Sequence, residues 1–284
     1  MPTAWLATWG SGKPVISLGS DIDCIPQASQ NASVWYYFRE LDYERIRGLR
    51  EIGDTMARAA AMMSNTTSSA RVLGSAWPQH FNRPVAEAMD ANIKAVGLPQ
   101  WSEADQRLAR ALQGELQAPI TGLGLVLKGL QAPATDESRT GGSDDIGDVS
   151  WVVPTVSLRY PANVPGLPGH NWANAIAMAT PIAHKGTTAG AKVLAMTLVD
   201  LLTQPELVAK AWDYFRNTQT EGIKYQSLLG PDDRPPTWLN SRAMATHREA
   251  MKQFYFNPEK FDTYLEQLGI GYPTVRSKAA ANAP

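Results

Sequence analysis

The clearest hydrophobic pattern along the chain is the three- and four-residue spacing of amphipathic helices. It begins after Asp42, which can cap a first turn, and continues to about Ser64, so it predicts a helix there. Further helices are predicted over four segments, 84–97, 102–116, 187–203 and 204–218. The third of these is so strongly apolar that we expect it to be buried on most sides.

Other segments alternate or run apolar in the manner of β-strands. The first two form a predicted hairpin around the turn at 11–14, and its second strand ends in Asp21 and Asp23. The predicted strands cover 3–10, 15–23, 31–40, 68–77, 149–160 and 174–183. Because strands and helices alternate, the sequence predicts an α/β fold with a mixed sheet covered by helices.

Composition narrows the class of protein. The chain has 284 residues, 44% of them hydrophobic, which is enough for one large domain or two smaller ones. A net charge of −1 gives no electrostatic basis for binding nucleic acid or an anionic membrane. The single cysteine, Cys24, excludes an internal disulfide, and no secretory signal pattern is seen, so a cytoplasmic location is the default expectation.

Acidic residues cluster in two places that favour a metal or substrate site. Asp21 and Asp23 end a predicted strand, and Asp144, Asp145 and Asp148 lie on a glycine-rich turn before another. A hydrolytic zinc site needs carboxylates and imidazoles that converge from separate strand ends and loops. The alternatives are a solvated strand end for the first pair and local Asx-type hydrogen bonding for the turn.

The remaining candidate residues are basic. His170 lies in a glycine-flanked loop, where it is either a metal ligand or a surface histidine. His184 and Lys185 precede the apolar helix and either bind a substrate carboxylate or, for the histidine, bond to a backbone carbonyl. Arg83 either grips a carboxylate or pairs with Glu87 four residues later. The absence of a Gly-x-Ser-x-Gly motif and of a phosphate loop excludes those two classes of site.

Three stretches together resemble a known family. They are GKPVISLGSDIDCIPQASQ at 12–30, GSDDIGDVSWVVPTVS at 142–157 and TPIAHKGTTAGAKVLAMTLVDLL at 180–202. They resemble the zinc-dependent aminoacylase and carboxypeptidase family of amidohydrolases. The resemblance implies a catalytic α/β domain over 1–30 and 66–276, interrupted by a remnant of a smaller α/β lid domain at 31–65. Residues 277–284 would be a disordered tail.

The resemblance also implies a reaction and roles for residues. Family members hydrolyse amide bonds of N-acyl or N-aryl amino acids, p-aminobenzoyl-glutamate among them, with two zinc or manganese ions, and their lids pair two subunits. Asp21 and His170 then match metal-site positions and Asp23 the orienting aspartate. The turn at 144–148, with His184 and Lys185, would line the substrate site. The implied partners are a small N-acyl amino acid and either a second copy or another subunit.

The sequence departs from the family in what it lacks. The expected Gly-His-x-x-Gly-His loop, the Glu-Glu pair with the general base and most of the lid are missing between Gln30 and Asn31, and no Glu-Glu or His-x-x-x-His occurs elsewhere. We therefore expect an amidohydrolase by descent with impaired activity. A non-catalytic binding or oligomerisation protein is the alternative, and a single metal held by Asp21, Asp23 and His170 with a partner chain is a third. Exposed apolar residues at 35–38 predict a dimer or larger species.

Overall fold

The structure is a computed structural model that describes residues 33–131 and 144–275. Asp21, Asp23 and Cys24, together with the predicted N-terminal hairpin, lie outside the described residues. By its internal contacts the chain divides into two compact units, Met1–Arg71 and Val72–Pro284. Each unit is therefore described by itself.

The described parts of both units are helical. The α-helices are α1 (Tyr43–Met63), α2 (Arg83–Val96), α3 (Glu103–Glu115), α4 (Ile146–Ser150), α5 (Trp172–Met178), α6 (Pro181–Thr203), α7 (Pro205–Tyr214), α8 (Ser241–Lys252) and α9 (Tyr264–Gln267). A π-helical turn, Phe215–Gln219, continues α7, and a 3₁₀ turn, Thr237–Asn240, precedes α8. None of the described helices is long and apolar enough to cross a membrane.

The predicted mixed α/β sheet is wrong for this structure, because residues 33–131 and 144–275 contain no strand. The segments at 33–40 and 68–77 form neither a helix nor a β-ladder, although their residues favour strands. The predicted strand at 149–160 begins inside α4, and the one at 174–183 is divided between α5 and α6. Short apolar runs do not distinguish a strand from a short helix by their periodicity, and a strand also needs a partner to complete its hydrogen bonds.

In the first unit, α1 begins and ends close to its predicted limits. The carboxylate of Asp42 caps it by accepting a hydrogen bond of 2.8 Å from the Arg45 backbone N–H. Phe38 packs directly over Gly53, where a Cβ would come within 3.0 Å of the Phe38 ring carbon Cε1. The neighbouring Trp35 and Tyr37 are exposed, as the sequence predicts, although the strand predicted to carry them is not formed.

The core of the second unit lies where α3, α5 and α6 meet. Its buried residues are Leu108, Ala109, Leu112, Leu123, Val164, Ala173, Ala177 and Ile182. In the same unit, two glycines allow other backbone segments to lie directly against α6 and α4. A Cβ at Gly186 on α6 would overlap the carbonyl oxygen of Pro161, and one at Gly147 on α4 would overlap that of Trp77. Helix α2 packs against α6 and α7 beside this core.

Two buried glutamines on α3 hold the loop that follows it. The Gln113 amide oxygen accepts from the Gly122 backbone N–H at 2.8 Å, and its amide nitrogen donates to the Pro165 carbonyl at 3.0 Å. Gln106 bonds to both backbone groups of Leu123, since its amide oxygen accepts from the N–H at 2.8 Å and its amide nitrogen donates to the carbonyl at 3.2 Å. Backbone groups of this loop therefore form hydrogen bonds with glutamine side chains of α3, whereas in a sheet they would bond to the backbone of a neighbouring strand.

Helix α6 differs from its prediction in burial. One side is buried, with Ile182 and Val193 fully enclosed. The opposite side is exposed in the described structure and carries large apolar residues, including Leu198 and Leu202. The prediction that this helix is buried on most sides is therefore wrong. The apolar composition of α6 is typical of a helix that is covered on two sides, whereas the described residues cover only one of its sides.

Candidate functional site

The acidic turn before α4 is held by local hydrogen bonds. Asp144 Oδ1 accepts from the Ile146 backbone N–H at 3.1 Å and from Gln79 Nε2 at 2.7 Å. Asp145 precedes the first residue of α4 and makes no side-chain cap bond. This is the Asx-type bonding that the turn composition also allowed, and it occupies one oxygen of Asp144.

Asp148, the third acid of the turn, connects two distant segments. Its Oδ2 accepts from the Trp77 backbone N–H at 3.3 Å, and its Oδ1 accepts from the Tyr225 hydroxyl at 2.9 Å. The Trp77 indole N–H in turn donates to the Gln226 carbonyl at 2.8 Å. Both oxygens of Asp148 are therefore used in holding the chain together, which is a sufficient structural reason for a carboxylate here.

An aromatic cluster surrounds this carboxylate. The ring of Trp77 lies 5.3 Å from that of Trp151 and 5.2 Å from that of Tyr225, centroid to centroid, and His80 meets Trp151 edge-on at 5.7 Å. These are the separations of packed aromatic pairs. Each of the four rings thus packs against at least one other beside α4, and Trp77 is buried among them.

Gln219 closes the cluster from the π-helical turn. Its amide nitrogen donates to the carbonyl oxygens of Ser150 and His80, while its own amide oxygen is buried and has no hydrogen-bond partner within the described residues. Sequence reasoning missed this residue. Its role depends on contacts across 69 and 139 residues of chain, which local spacing does not reveal.

Arg83 forms the ion pair that its four-residue spacing suggests. Its Nε donates to Glu87 Oε1 at 2.8 Å along the exposed side of α2. This hydrogen bond and the charge of Glu87 raise the pKa of the Arg83 guanidinium. The proposed grip on a substrate carboxylate stays a prediction, and it would require the guanidinium to exchange Glu87 for the substrate.

Lys185 is engaged by an acid that the sequence did not single out. Its Nζ lies 2.6 Å from Oδ2 of Asp105, whose side chain is fully buried at the start of α3. The same Oδ2 accepts from the Ser102 backbone N–H at 2.7 Å in a capping box, and Oδ1 accepts from the Tyr272 hydroxyl at 2.8 Å. Lys185 thereby links α6 to α3, and Tyr272 links the C-terminal segment to both.

The electrostatics of this group follow from its contacts. Burial alone raises the pKa of the Asp105 carboxyl, but hydrogen bonds from Lys185, Ser102 and Tyr272 outweigh burial and lower it. Burial, followed by the hydrogen bond to Asp105, raises the pKa of the Tyr272 hydroxyl. Asp105 therefore stays ionised and Tyr272 stays protonated over the neutral range. The only advance signal was Ser102, followed three residues later by an acid at the start of a helix.

The two candidate histidines are exposed. His170 has a backbone φ of +53° in the turn before α5, where the next residue, Asn171, caps the helix. His184 lies in the first turn of α6. Within residues 33–131 and 144–275, no group of three or more His, Cys, Asp or Glu side chains is placed to hold a metal ion. The described residues therefore do not fit the two-metal centre that the family resemblance implies.

Three of the predicted site residues, Asp144, Asp145 and Asp148, share one turn. Lys185 and Arg83 are each paired with an acid other than these. The metal-ligand and orienting roles of Asp21 and Asp23 fall outside the described residues, so these roles, like those of His170 and His184, stay predictions. What the geometry establishes is a set of buried polar connections that hold the second unit together.

Comparison with known proteins indicates a distant relation to a hydrolase. Over 199 residues, or 62% of this chain, the sequence is 27% identical to a protein of Escherichia coli (strain K12). That protein is one of the subunits of p-aminobenzoyl-glutamate hydrolase, and the match covers 41% of its length. The chain thus spans less than half of this relative. No family model matches the chain, and no solved structure matches it.

Proposed function

We propose that this chain is a part of a hydrolase that cleaves amide bonds in p-aminobenzoyl-glutamate and related N-acyl amino acids. The observation that carries the proposal is the 27% identity over 199 residues to a subunit of a hydrolase named for that substrate. In the reaction, water adds across the amide, so the carbonyl carbon gains the hydroxyl and the amine leaves with a proton. The products are the aromatic acid and the free amino acid.

The chain alone is expected to be a poor catalyst. The described residues supply no complete set of metal donors. A zinc or manganese centre would therefore need Asp21 and Asp23 from outside the described residues, or donors from a partner chain, besides His170. The name of the relative, which is that of one subunit of an enzyme, supports a role for this chain within an assembly. Its substrate contacts would come from His184 and from the acidic turn at 144–148.

The experiment is metal loading followed by a hydrolysis assay on the purified full chain. After incubation with zinc or manganese and desalting, elemental analysis gives the metal content, and release of p-aminobenzoate gives turnover. We expect bound metal well below two ions per chain and slow turnover that requires the metal. His170→Ala should abolish that turnover, whereas His247→Ala, which changes another exposed histidine on α8, should leave it unchanged. Metal-independent turnover, or equal loss in both variants, would contradict the proposal.

A second function, binding without chemistry, is favoured by a separate observation. Many large apolar side chains are exposed in both units, among them Tyr37, Met63, Trp172 and Leu202. Surfaces of this kind mark interaction sites. This alternative predicts saturable binding of p-aminobenzoyl-glutamate or of a partner subunit with no release of product. Calorimetric titration distinguishes the two functions, because heat of binding without turnover supports the second and turnover supports the first.

A further inference from the structure

Residues 227–271, which we call the C-terminal arm, contain no buried residue. Helix α8 packs against the 3₁₀ turn that precedes it. Two hydrogen bonds, from the Tyr264 hydroxyl to the Phe254 carbonyl at 2.9 Å and from Gln267 Nε2 to the Tyr255 carbonyl at 3.0 Å, join residues of the arm to one another. Segments with so few buried contacts open at a low cost in free energy, and the moving covers of binding sites are drawn from them.

The arm begins beside the acidic turn. The Tyr225 hydroxyl donates to Asp148 Oδ1 at 2.9 Å, and the Gln226 carbonyl accepts from the Trp77 indole N–H at 2.8 Å. The rings of Trp77 and Tyr225 lie 5.2 Å apart, and Trp77 is buried. Two hydrogen bonds and a buried indole therefore fix this end of the arm against the turn at 144–148.

The other end of the arm lies beside the start of α6. Tyr272 follows the arm directly, and its hydroxyl donates to Asp105 Oδ1 at 2.8 Å, while Asp105 Oδ2 lies 2.6 Å from Lys185 Nζ. The Tyr272 ring packs against the core but is itself only partly buried. Gly269, with a φ of +64°, supplies a backbone conformation just before this contact that other residues rarely adopt. With one hydroxyl and a partly buried ring, this end is the more easily released of the two.

We propose that the C-terminal arm is a movable cover of the candidate substrate site and that the Tyr272 hydroxyl holds it closed. The arm connects the acidic turn at 144–148 with the start of α6, where His184 and Lys185 lie. The chain between these two points therefore spans the groups that are the candidate substrate contacts. Opening admits the substrate, and closing retains it beside them. The inference rests on the proposed function, to which it adds control of access.

The arm carries the aromatic residues that a cover of this substrate needs. Phe254, Tyr255 and Phe256 follow α8 and are 62%, 52% and 41% exposed. The acyl part of p-aminobenzoyl-glutamate is a flat aromatic ring, which packs well against aromatic side chains. The amino-acid part is charged and suits the polar groups at the two fixed ends. Closure of the arm would thus bury the ring and leave the carboxylates with the polar groups.

Distances between two spin labels, measured by pulsed electron paramagnetic resonance on the full chain, report whether the arm is closed. The background is Cys24→Ser, which removes the native thiol. Glu103→Cys carries one label at the exposed start of α3, and Glu259→Cys carries the other on the exposed arm. A closed arm gives the shorter distance and an open arm the longer one.

Tyr272→Phe tests the tether without any ligand. The variant keeps the ring, and Asp105 keeps its bonds from Lys185 and from the Ser102 backbone N–H, so the fold should be retained. Loss of a hydrogen bond to a carboxylate should raise the ratio of open to closed arm about tenfold or more. Tyr255→Phe, at an exposed tyrosine of the arm, should leave the distances unchanged. Equal distances in Tyr272→Phe and in the wild type overturn the proposal.

Addition of p-aminobenzoyl-glutamate to the doubly labelled chain supplies the second readout. Binding, measured independently by calorimetry, should shift the labels to the shorter distance, and this shift does not require turnover. Binding that leaves the distances unchanged overturns the cover, whatever the hydrolysis assay shows. Absence of binding contradicts the proposed function itself and leaves the arm with no substrate to cover, so the two failures are distinguishable.

Discussion

At Gly186, a single hydrogen in place of a side chain allows the backbone at 161–162 to lie against α6. A Cβ there would overlap the Pro161 carbonyl oxygen and approach the Ala162 Cα to 2.5 Å, and neither is a flexible side chain that can move aside. Gly186→Ala should therefore destabilise the second unit by about 2–3 kcal/mol through overpacking. Denaturant unfolding measures this loss. Gly114→Ala on α3, where the nearest atom is Ile120 Cδ1 at 3.7 Å, should be neutral or slightly stabilising.

The buried carboxylate of Asp105 predicts how stability depends on pH. Its pKa in the folded chain is lower than the usual value of about 3.9. Its stabilisation is thus fully present above pH 4 and is lost as the pH falls below that value through the folded pKa. Asp105→Asn should lower the free energy of unfolding at pH 7 by about 3 kcal/mol, because Lys185 loses its partner.

The control for this substitution is Asp145→Asn, an exposed acid that makes no side-chain cap bond. Unfolding curves recorded from pH 3 to pH 7 should show that Asp105→Asn removes part of the acid-dependent loss, whereas Asp145→Asn leaves the pH profile unchanged. A pH profile for Asp105→Asn that is parallel to that of the wild type would show that this carboxylate does not contribute to the dependence.

The roles of individual residues were predictable from the sequence only where both partners are close in the chain. The pair Arg83–Glu87 follows from a four-residue interval. The pair Lys185–Asp105 spans 80 residues, and nothing in the local pattern connects the two. The acids of the 144–148 turn could be recognised as a cluster, but the contact of Asp148 with Tyr225 depends on how the chain folds back.

Among the elements, the junction of α2 with α7 depends on one fully buried side chain. The Asn82 amide oxygen caps α2 by accepting from the Val85 backbone N–H at 3.4 Å, and its amide nitrogen donates to the Ala211 carbonyl of α7 at 2.9 Å. Asn82→Ala should cost about 2–3 kcal/mol, since it removes both the helix cap and the buried hydrogen bond to the Ala211 carbonyl, which keeps only its bond from the Phe215 backbone N–H. Thermal unfolding measures the cost. Asn240→Ala, at a helix start where the side chain makes no cap bond, should have little effect.

Helix limits were predicted well where the capping chemistry is local. The starts of α1 and α3 were predicted at Asp42 and Ser102, because each of these side chains accepts a hydrogen bond from the backbone three residues later, and the start of α2 was predicted at Pro84, one residue late. Helix α4 lies in the predicted acidic turn and the first two residues of a predicted strand, and most of α5 was predicted as strand. They have five and seven residues, and over such lengths an apolar run carries no usable period.

For the whole molecule, the sequence predicted a covered α/β architecture and the described residues form helical units with much apolar surface exposed. The alternation of strands and helices was a sound basis for a sheet, but a sheet forms only if every strand finds a partner. The apolar composition of the helices explains both the prediction and the observed exposure. A helix suited to packing against a second layer exposes its apolar side where the described residues place no such layer against it.

The pairing of Gln106 and Gln113 with the loop after α3 has a consequence for how this protein tolerates sequence change. Both amides bond to main-chain groups at 122–123, which every amino acid possesses. The conformation of the loop is thus set largely by the preceding helix, and apart from Gly122, whose φ is +70°, and the buried Leu123, the loop's own sequence is free to change. In a set of related sequences, we therefore expect these two glutamines to be conserved while the loop beside them varies.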